Sequence, residues 1–118
     1  MNKEDMKKRT KRFALEVIGF VESLPRARTT DTLGRQLLRS GTSVGANYRA
    51  ACRAKSTADF LSKMGTVEEE ADESSYWMEL LLEGGISTGS QVEALMKEAN
   101  ELVAITVSTI NSTRRNKQ

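Results

Sequence analysis

The stretch LGRQLLRSGTSVGANYRAACRA, Leu33 to Ala54, constrains the fold more than any other part of the chain. At 100° per residue, Leu33, Leu37, Ser40, Val44, Asn47, Tyr48 and Ala51 fall on one side of a helix at heptad-like spacing. Arg35, Arg39, Arg49 and Arg53 fall on the opposite side, and Gly34, Gly41 and Gly45 flank the inner stripe. Each glycine costs a helix interior about 1 kcal/mol relative to alanine. Missing side chains let a neighbouring helix approach closely, because interaxial distance follows the size of the contact residues. The spacing therefore predicts a helix with a close neighbour inside and a row of guanidinium groups outside.

The same period recurs along the chain. Met6, Phe13, Val17, Phe20, Val21 and Leu24 share one face of a first helix, about 5–24, ended by Pro25. Its first turns carry Lys3, Lys7, Lys8, Arg9, Lys11 and Arg12, a basic start that opposes the helix dipole. In the polar turn PRARTTDT, Thr30 or Asp31 is the expected N-cap of the second helix, about 31–54. Ser56 and Asp59 resemble a capping box heading a third helix, 57–83. There Phe60, Met64, Val67, Ala71, Ser74, Met78 and Leu81 repeat at alternating four- and three-residue steps until Gly84-Gly85 stops the helix. Ser90 and Glu93 form a second capping box before a fourth helix, about 91–112, with Val92, Leu95, Met96, Ala99, Leu102, Val103, Thr106 and Ile110 inside. Thr113 to Gln118 reads as a basic, frayed tail. Four helices joined by short turns predict one all-α domain over residues 1–118, an up-and-down antiparallel four-helix bundle.

Composition narrows the chemistry. A chain of 118 residues, 38% hydrophobic and 29% charged, suits a single soluble domain with its own core. Without histidine it lacks the commonest general base and the commonest zinc ligand, and the lone Cys52 excludes an intrachain disulfide. The third helix carries Glu68, Glu69, Glu70, Asp72 and Glu73, but a di-iron bundle needs Glu-x-x-His pairs. Glu69 and Glu73 also lie away from Met64, Ala71 and Met78, so the acids read as a solvated or salt-bridged face. Cys52, Ser40 and Ser43 have no base partner. The reading is of a non-enzyme, with no catalytic, cofactor or metal residues and no small-molecule substrate. No apolar run reaches the roughly 20 residues that span a bilayer, and the acids within MNKEDMKKRTKR argue against a signal peptide. A cytoplasmic location is expected.

Ser40, Asn47, Tyr48 and Ser74 are polar groups at inner positions. A buried amide must find partners, and Asn47 is expected to bond Ser74, Ser75 or a carboxylate of the third helix and so to fix register. Outside, the basic back of the second helix (Arg35, Arg39, Arg49, Arg53) complements Glu69 and Glu73, beside which lie Tyr76, Trp77 and Leu80. An aromatic patch rimmed by charge marks an interface. Complementary patches on different helices predict head-to-tail contacts between subunits, which close into a ring when the rotation permits. A competing use of the basic residues is binding to RNA phosphates by Lys7, Lys8, Lys11, Arg12, Arg114, Arg115 and Lys117 together with the second-helix arginines.

Two blocks carry a family resemblance. The segment from Gln36 to Tyr48, QLLRSGTSVGANY, resembles the signature of a bacterial four-helix-bundle family known from intervening sequences inside large-subunit ribosomal RNA genes. Phe60, Lys63-Met64-Gly65 and the run from Glu69 to Trp77 resemble that family's third helix. Ala50-Ala51 stands where many relatives have a carboxylate. The resemblance implies an up-and-down bundle assembling as a homopentameric ring. It also implies a relationship to accessory proteins of diversity-generating retroelements, which bind nucleic acid and a reverse transcriptase. No enzymatic activity is established for the family.

Overall fold

Why the apolar stripes close on one another is plain in a computed structural model of the chain, which describes residues 1–117, with Lys117 by its backbone alone. Four helices follow in order: α1 (Lys3–Ser23), α2 (Arg28–Ala51), α3 (Thr57–Glu83) and α4 (Ser90–Lys117). Among the described residues there is no strand. Each helix packs on its neighbours in sequence, and α1 also meets α4, which closes the four-helix bundle. The α1–α4 seam is the sparsest of the four, and the molecule measures 50 × 20 × 20 Å. Phe13, Val17, Leu37, Val44, Met64, Met78, Leu81 and Leu102 are fully buried along its axis. Among the described residues no helix is long and apolar enough to cross a membrane.

The close neighbour of α2 is α1. A Cβ at Gly41 would lie 2.9 Å from Val17 Cγ1, and one at Gly45 would lie 3.3 Å from Thr10 Oγ1. The two helices touch backbone to side chain, and the stabilisation from that packing offsets the helix penalty of the glycines.

Local chemistry explains where the helices begin and end. Asn2 caps α1: its Oδ1 accepts the Asp5 backbone N–H at 2.8 Å, and Asp5 Oδ2 lies 3.4 Å from the Asn2 backbone N–H. With Glu4 and Asp5 beside Lys3 in the first turn, the N-terminus of α1 suits its dipole, and the run from Lys7 to Arg12 follows one turn later. The expected cap of α2 at Thr30 or Asp31 is not what the chain uses. α2 starts at Arg28 behind Ala27, with no side-chain cap, while Asp31 instead pairs laterally with Arg26 at 3.0 Å. α2 ends at Ala51, three residues before the expected limit, because Arg53 and Ala54 donate to Ala50 and Ala51 in tighter turns. At the end of α3, Gly85 takes φ +73° and donates to the Leu82 carbonyl, while Ile86 donates to Leu81. This is a Schellman stop, with Ile86 packed back on the core. α4 runs on through Arg114 and Arg115 rather than fraying at Thr113. The Lys117 side chain and Gln118 lie outside the described residues.

The buried polar groups correct one expectation. Asn47 Nδ2 donates to the Ser43 carbonyl of its own helix at 2.8 Å, so this amide satisfies itself within α2. The cross-helix bond belongs to Ser40 and Ser74, both fully buried, whose hydroxyl oxygens lie 3.0 Å apart. Ser75 bonds Asn100 of α4 at 3.3 Å. Ser74→Ala is expected to cost about 1 kcal/mol. The double change with Ser40→Ala is expected to cost less than the two single changes together, because it leaves neither hydroxyl stranded. Urea denaturation of the four proteins measures that coupling; strict additivity would show that the pair does not interact.

Candidate functional site

The outer flank of α2 and α3 is built as a chain of contacts. Arg39 reaches from α2 to α3, with Nη1 2.9 Å from Glu70 Oε2 and Nη2 donating to Glu73 Oε1. The same Glu73 oxygen accepts Trp77 Nε1 at 3.2 Å. Hydrogen bonding to Glu73 is the main cause that raises the Arg39 pKa above its ordinary value, so the guanidinium stays charged. The Trp77 ring packs against the core, and Tyr76 stands edge-on to it, centroids 5.2 Å apart at 64°. Tyr76 itself is 51% exposed. Arg39, Glu73 and Trp77 are therefore joined within the one chain, with Tyr76 resting on the Trp77 ring. Glu69 is exposed beside it and Leu80 half-buried.

The remaining second-helix arginines are differently placed. Among the described residues, Arg35, Arg49 and Arg53 have no carboxylate within ion-pair distance, and all three are exposed. Arg35 makes one long contact, 3.5 Å, to Thr32 Oγ1. A shallow trough of about 480 Å³ between α1 and α2 is lined by Arg49, Lys7, Lys8 and Lys11, by Glu4, which pairs with Lys7 at 3.4 Å, and by Ala14, Thr42 and Ala46. Farther along these helices, Leu15, Ile18 and Leu38 are exposed, Leu15 at 61%.

Antiparallel topology gathers the positive charges. The start of α1, the α2–α3 turn and the end of α4 meet around a hollow of about 300 Å³ lined by Lys3, Cys52, Lys55, Phe60 and Thr113. Lys7, Lys8, Lys11 and Arg12 lie near that end on α1, Arg53 and Lys55 beside the turn, and Arg114 and Arg115 on α4. Arg9 is drawn aside, with Nε 2.7 Å from Glu98 Oε2 and Nη2 3.4 Å from Glu101 Oε1. Its bidentate bond to Glu98 clasps the sparse α1–α4 seam.

The profile of the 23S rRNA-intervening sequence protein family matches residues 2–108. The chain belongs to that family. Among solved structures, it is similar to a protein of unknown function from the S23 ribosomal protein family of Bacteroides thetaiotaomicron, at 33% identity and a TM-score of 0.86. The likeness covers 94% of this chain and 99% of the other. Comparison with curated proteins gives no match.

In this 23S rRNA-intervening sequence protein, the acids of α3 serve in part as ion-pair partners. Glu70 and Glu73 are tied to Arg39, and among the described residues no group of three or more His, Cys, Asp or Glu side chains converges. Cys52 lies against Tyr48, whose hydroxyl pKa is raised chiefly by burial and then by Cys52. Pattern reading missed three features: the Arg39–Glu70 contact, the Arg9–Glu98 clasp and the exposed Leu15, Ile18 and Leu38. The last of these carries a signal, since apolar residues off the inner stripe of an amphipathic helix need a reason.

Two aspartates give the family member an acid response. Asp59 has a lowered pKa, first through Lys63 at 2.6 Å and then through the Lys55 backbone N–H; Asp31 is lowered first by Arg26. A folded pKa below the unfolded one stabilises at neutral pH, and that contribution is lost as pH falls through the folded value. Thermal melting from pH 6 to pH 2 is expected to show the wild type losing its advantage over Asp59→Asn only below about pH 4. A gap that persists undiminished at pH 2 would contradict this origin.

Proposed function

We propose that the chain is a non-enzymatic, homo-oligomeric four-helix bundle that serves as an adaptor, presenting repeated surfaces to another protein or ribonucleoprotein in the cytoplasm. The observation that carries this reading is Tyr76. It is an aromatic side chain left 51% exposed, and it is held on one side by the edge contact with Trp77. Rigid aromatic anchors beside charged rims are the usual centres of protein interfaces. Around it lie Glu69 and Leu80, while Arg35, Arg49 and Arg53 supply unpaired positive charge elsewhere on the same subunit. A pentameric ring is the size that the family resemblance implies.

A second reading has its own support. The basic residues converge on one end of the bundle, so in a ring they would form a repeated phosphate-binding surface. Lys7, Lys8, Lys11, Arg12, Arg114 and Arg115 are its candidates. Size-exclusion chromatography with light scattering, run with and without structured RNA at 50 and 300 mM salt, separates the two. The adaptor reading expects an assembly whose mass ignores RNA. A mass increase with RNA that vanishes at high salt would favour nucleic acid instead.

A further inference from the structure

We propose that the α1–α2 trough is the receptor for the outer ridge of α3 from a second copy of this chain. This rests on the homo-oligomer reading and deepens it by naming the two faces that meet. The trough exists because Gly41 and Gly45 draw α1 and α2 together and because Ala14, Thr42 and Ala46 leave its floor shallow and largely apolar. Lys7, Lys8, Lys11 and Arg49 line its edges; Glu4 also lines it and pairs with Lys7 at 3.4 Å, so among the described residues the free positive charge there is that of Lys8, Lys11 and Arg49.

The α3 ridge has the opposite character. Glu69, Asp72, Tyr76 and Glu83 follow at helical spacing along the outer surface of α3, all exposed, with Leu80 half-buried beside them. Tyr76 is exposed and pre-set by its edge contact with Trp77, which reduces the side-chain freedom lost on docking. An aromatic ring meets a small-residue floor, and carboxylates meet ammonium and guanidinium groups: shape and charge both match. Trough and ridge share no residue, so each subunit can use both at once. Contacts of that kind propagate head to tail until they close.

The geometry also divides labour among the arginines. Arg39 belongs to the bracing of the ridge, through Glu73 and Trp77, whereas Arg49 belongs to the receptor. The two therefore act on opposite sides of one contact.

Three variants test the assignment. Ala46→Glu blocks the floor of the trough and places an acid against the incoming ridge; Ala46 is exposed and helical, so the subunit keeps its own packing. Tyr76→Lys spoils the ridge at an equally exposed site. Asp72→Lys is a second ridge variant that removes no aromatic contact. Circular dichroism confirms helicity, and light scattering gives the mass of each protein alone and of 1:1 mixtures.

Each variant alone is expected to fall from the wild-type assembly to the mass of one chain. Mixed, Ala46→Glu supplies an intact ridge and Tyr76→Lys an intact trough, so the mixture is expected to stop at a heterodimer. Variants that keep the wild-type mass would overturn the assignment while leaving the oligomer reading standing, as would monomeric variants that fail to pair when mixed. If Ala46→Glu keeps its mass but loses an RNA-dependent shift, the trough serves a polyanion and the assignment is overturned. A wild type that is monomeric at every concentration would remove the oligomer reading and this assignment together.

Discussion

Gly41→Leu is expected to destabilise the bundle by about 2–3 kcal/mol, a fall in Tm of roughly 10 °C. A Cβ at this position already meets Val17 Cγ1 at 2.9 Å, Cγ2 at 3.0 Å and Cβ at 3.2 Å. A valine is stiff at χ1 and cannot swing aside, so α1 as a whole must move, and Val17 is fully buried beneath it. Leucine gains about 1 kcal/mol of helix propensity over glycine, which offsets only part of the overpacking. Val17→Ala in the same protein is expected to recover much of the loss, because the two side chains compete for one space. Gly65→Ala is the internal control. Nothing lies within 4 Å of its Cβ position, so it is expected to stabilise by about 0.5–1 kcal/mol. Equal effects at Gly41 and Gly65 in chemical denaturation would show that the glycines of α2 are not packing devices.

Trp77→Ala is expected to cost about 2–3 kcal/mol and, in addition, to weaken assembly. The ring is half-buried against the core, so truncation forfeits much of the burial energy of a large aromatic. It also removes the donor to Glu73 and the edge contact to Tyr76, the latter worth about 0.5–1.5 kcal/mol. Trp77→Phe keeps a ring beside Tyr76 but loses the N–H, and its expected cost is about 1 kcal/mol with assembly retained. Because assembly and stability are linked by mass action, both variants are melted at two protein concentrations. A Trp77→Ala protein that matches the wild type in both stability and mass would mean that the Arg39–Glu73–Trp77 chain braces nothing.

Much of this architecture is legible in the sequence, for a physical reason. A helix buried along one face repeats its apolar residues every three or four positions, and in α3 and α4 that rhythm is nearly unbroken from Phe60 to Leu81 and from Val92 to Ile110. The glycines of α2 announce a close neighbour, though not that it is α1. What stays hidden depends on register between helices or on choices the backbone makes locally. Arg39 meets Glu70 and Glu73 only because the α2–α3 turn sets one particular offset. Arg9 and Glu98 come from opposite ends of the chain. Asn47 occupies an inner flank, and periodicity does not distinguish an amide that crosses to a neighbour from one that bonds the carbonyl four residues back. The start of α2 is invisible for a plainer reason: Ala27 caps nothing, and Asp31 is occupied by Arg26.

The candidate surfaces were legible by charge and illegible by partner. Basic residues on α2 and acidic ones on α3 stand out in the sequence, yet Arg39 is ion-paired within the chain, whereas Arg35, Arg49 and Arg53 have no carboxylate in ion-pair range among the described residues. Only the register of α2 against α3 separates them. That separation turns a general complementarity into a bracing group beneath Tyr76 and a set of unpaired cations elsewhere.

The central claim is that a single folded subunit leaves a braced aromatic ridge uncovered and is completed by copies of itself. Sedimentation equilibrium over a dilution series from about 100 to 1 μM tests it most directly. The expected result is one closed species several times the 13.1 kDa chain mass, five times if the ring is that of the family, holding its size on dilution. A 13.1 kDa monomer across the whole series would contradict the account.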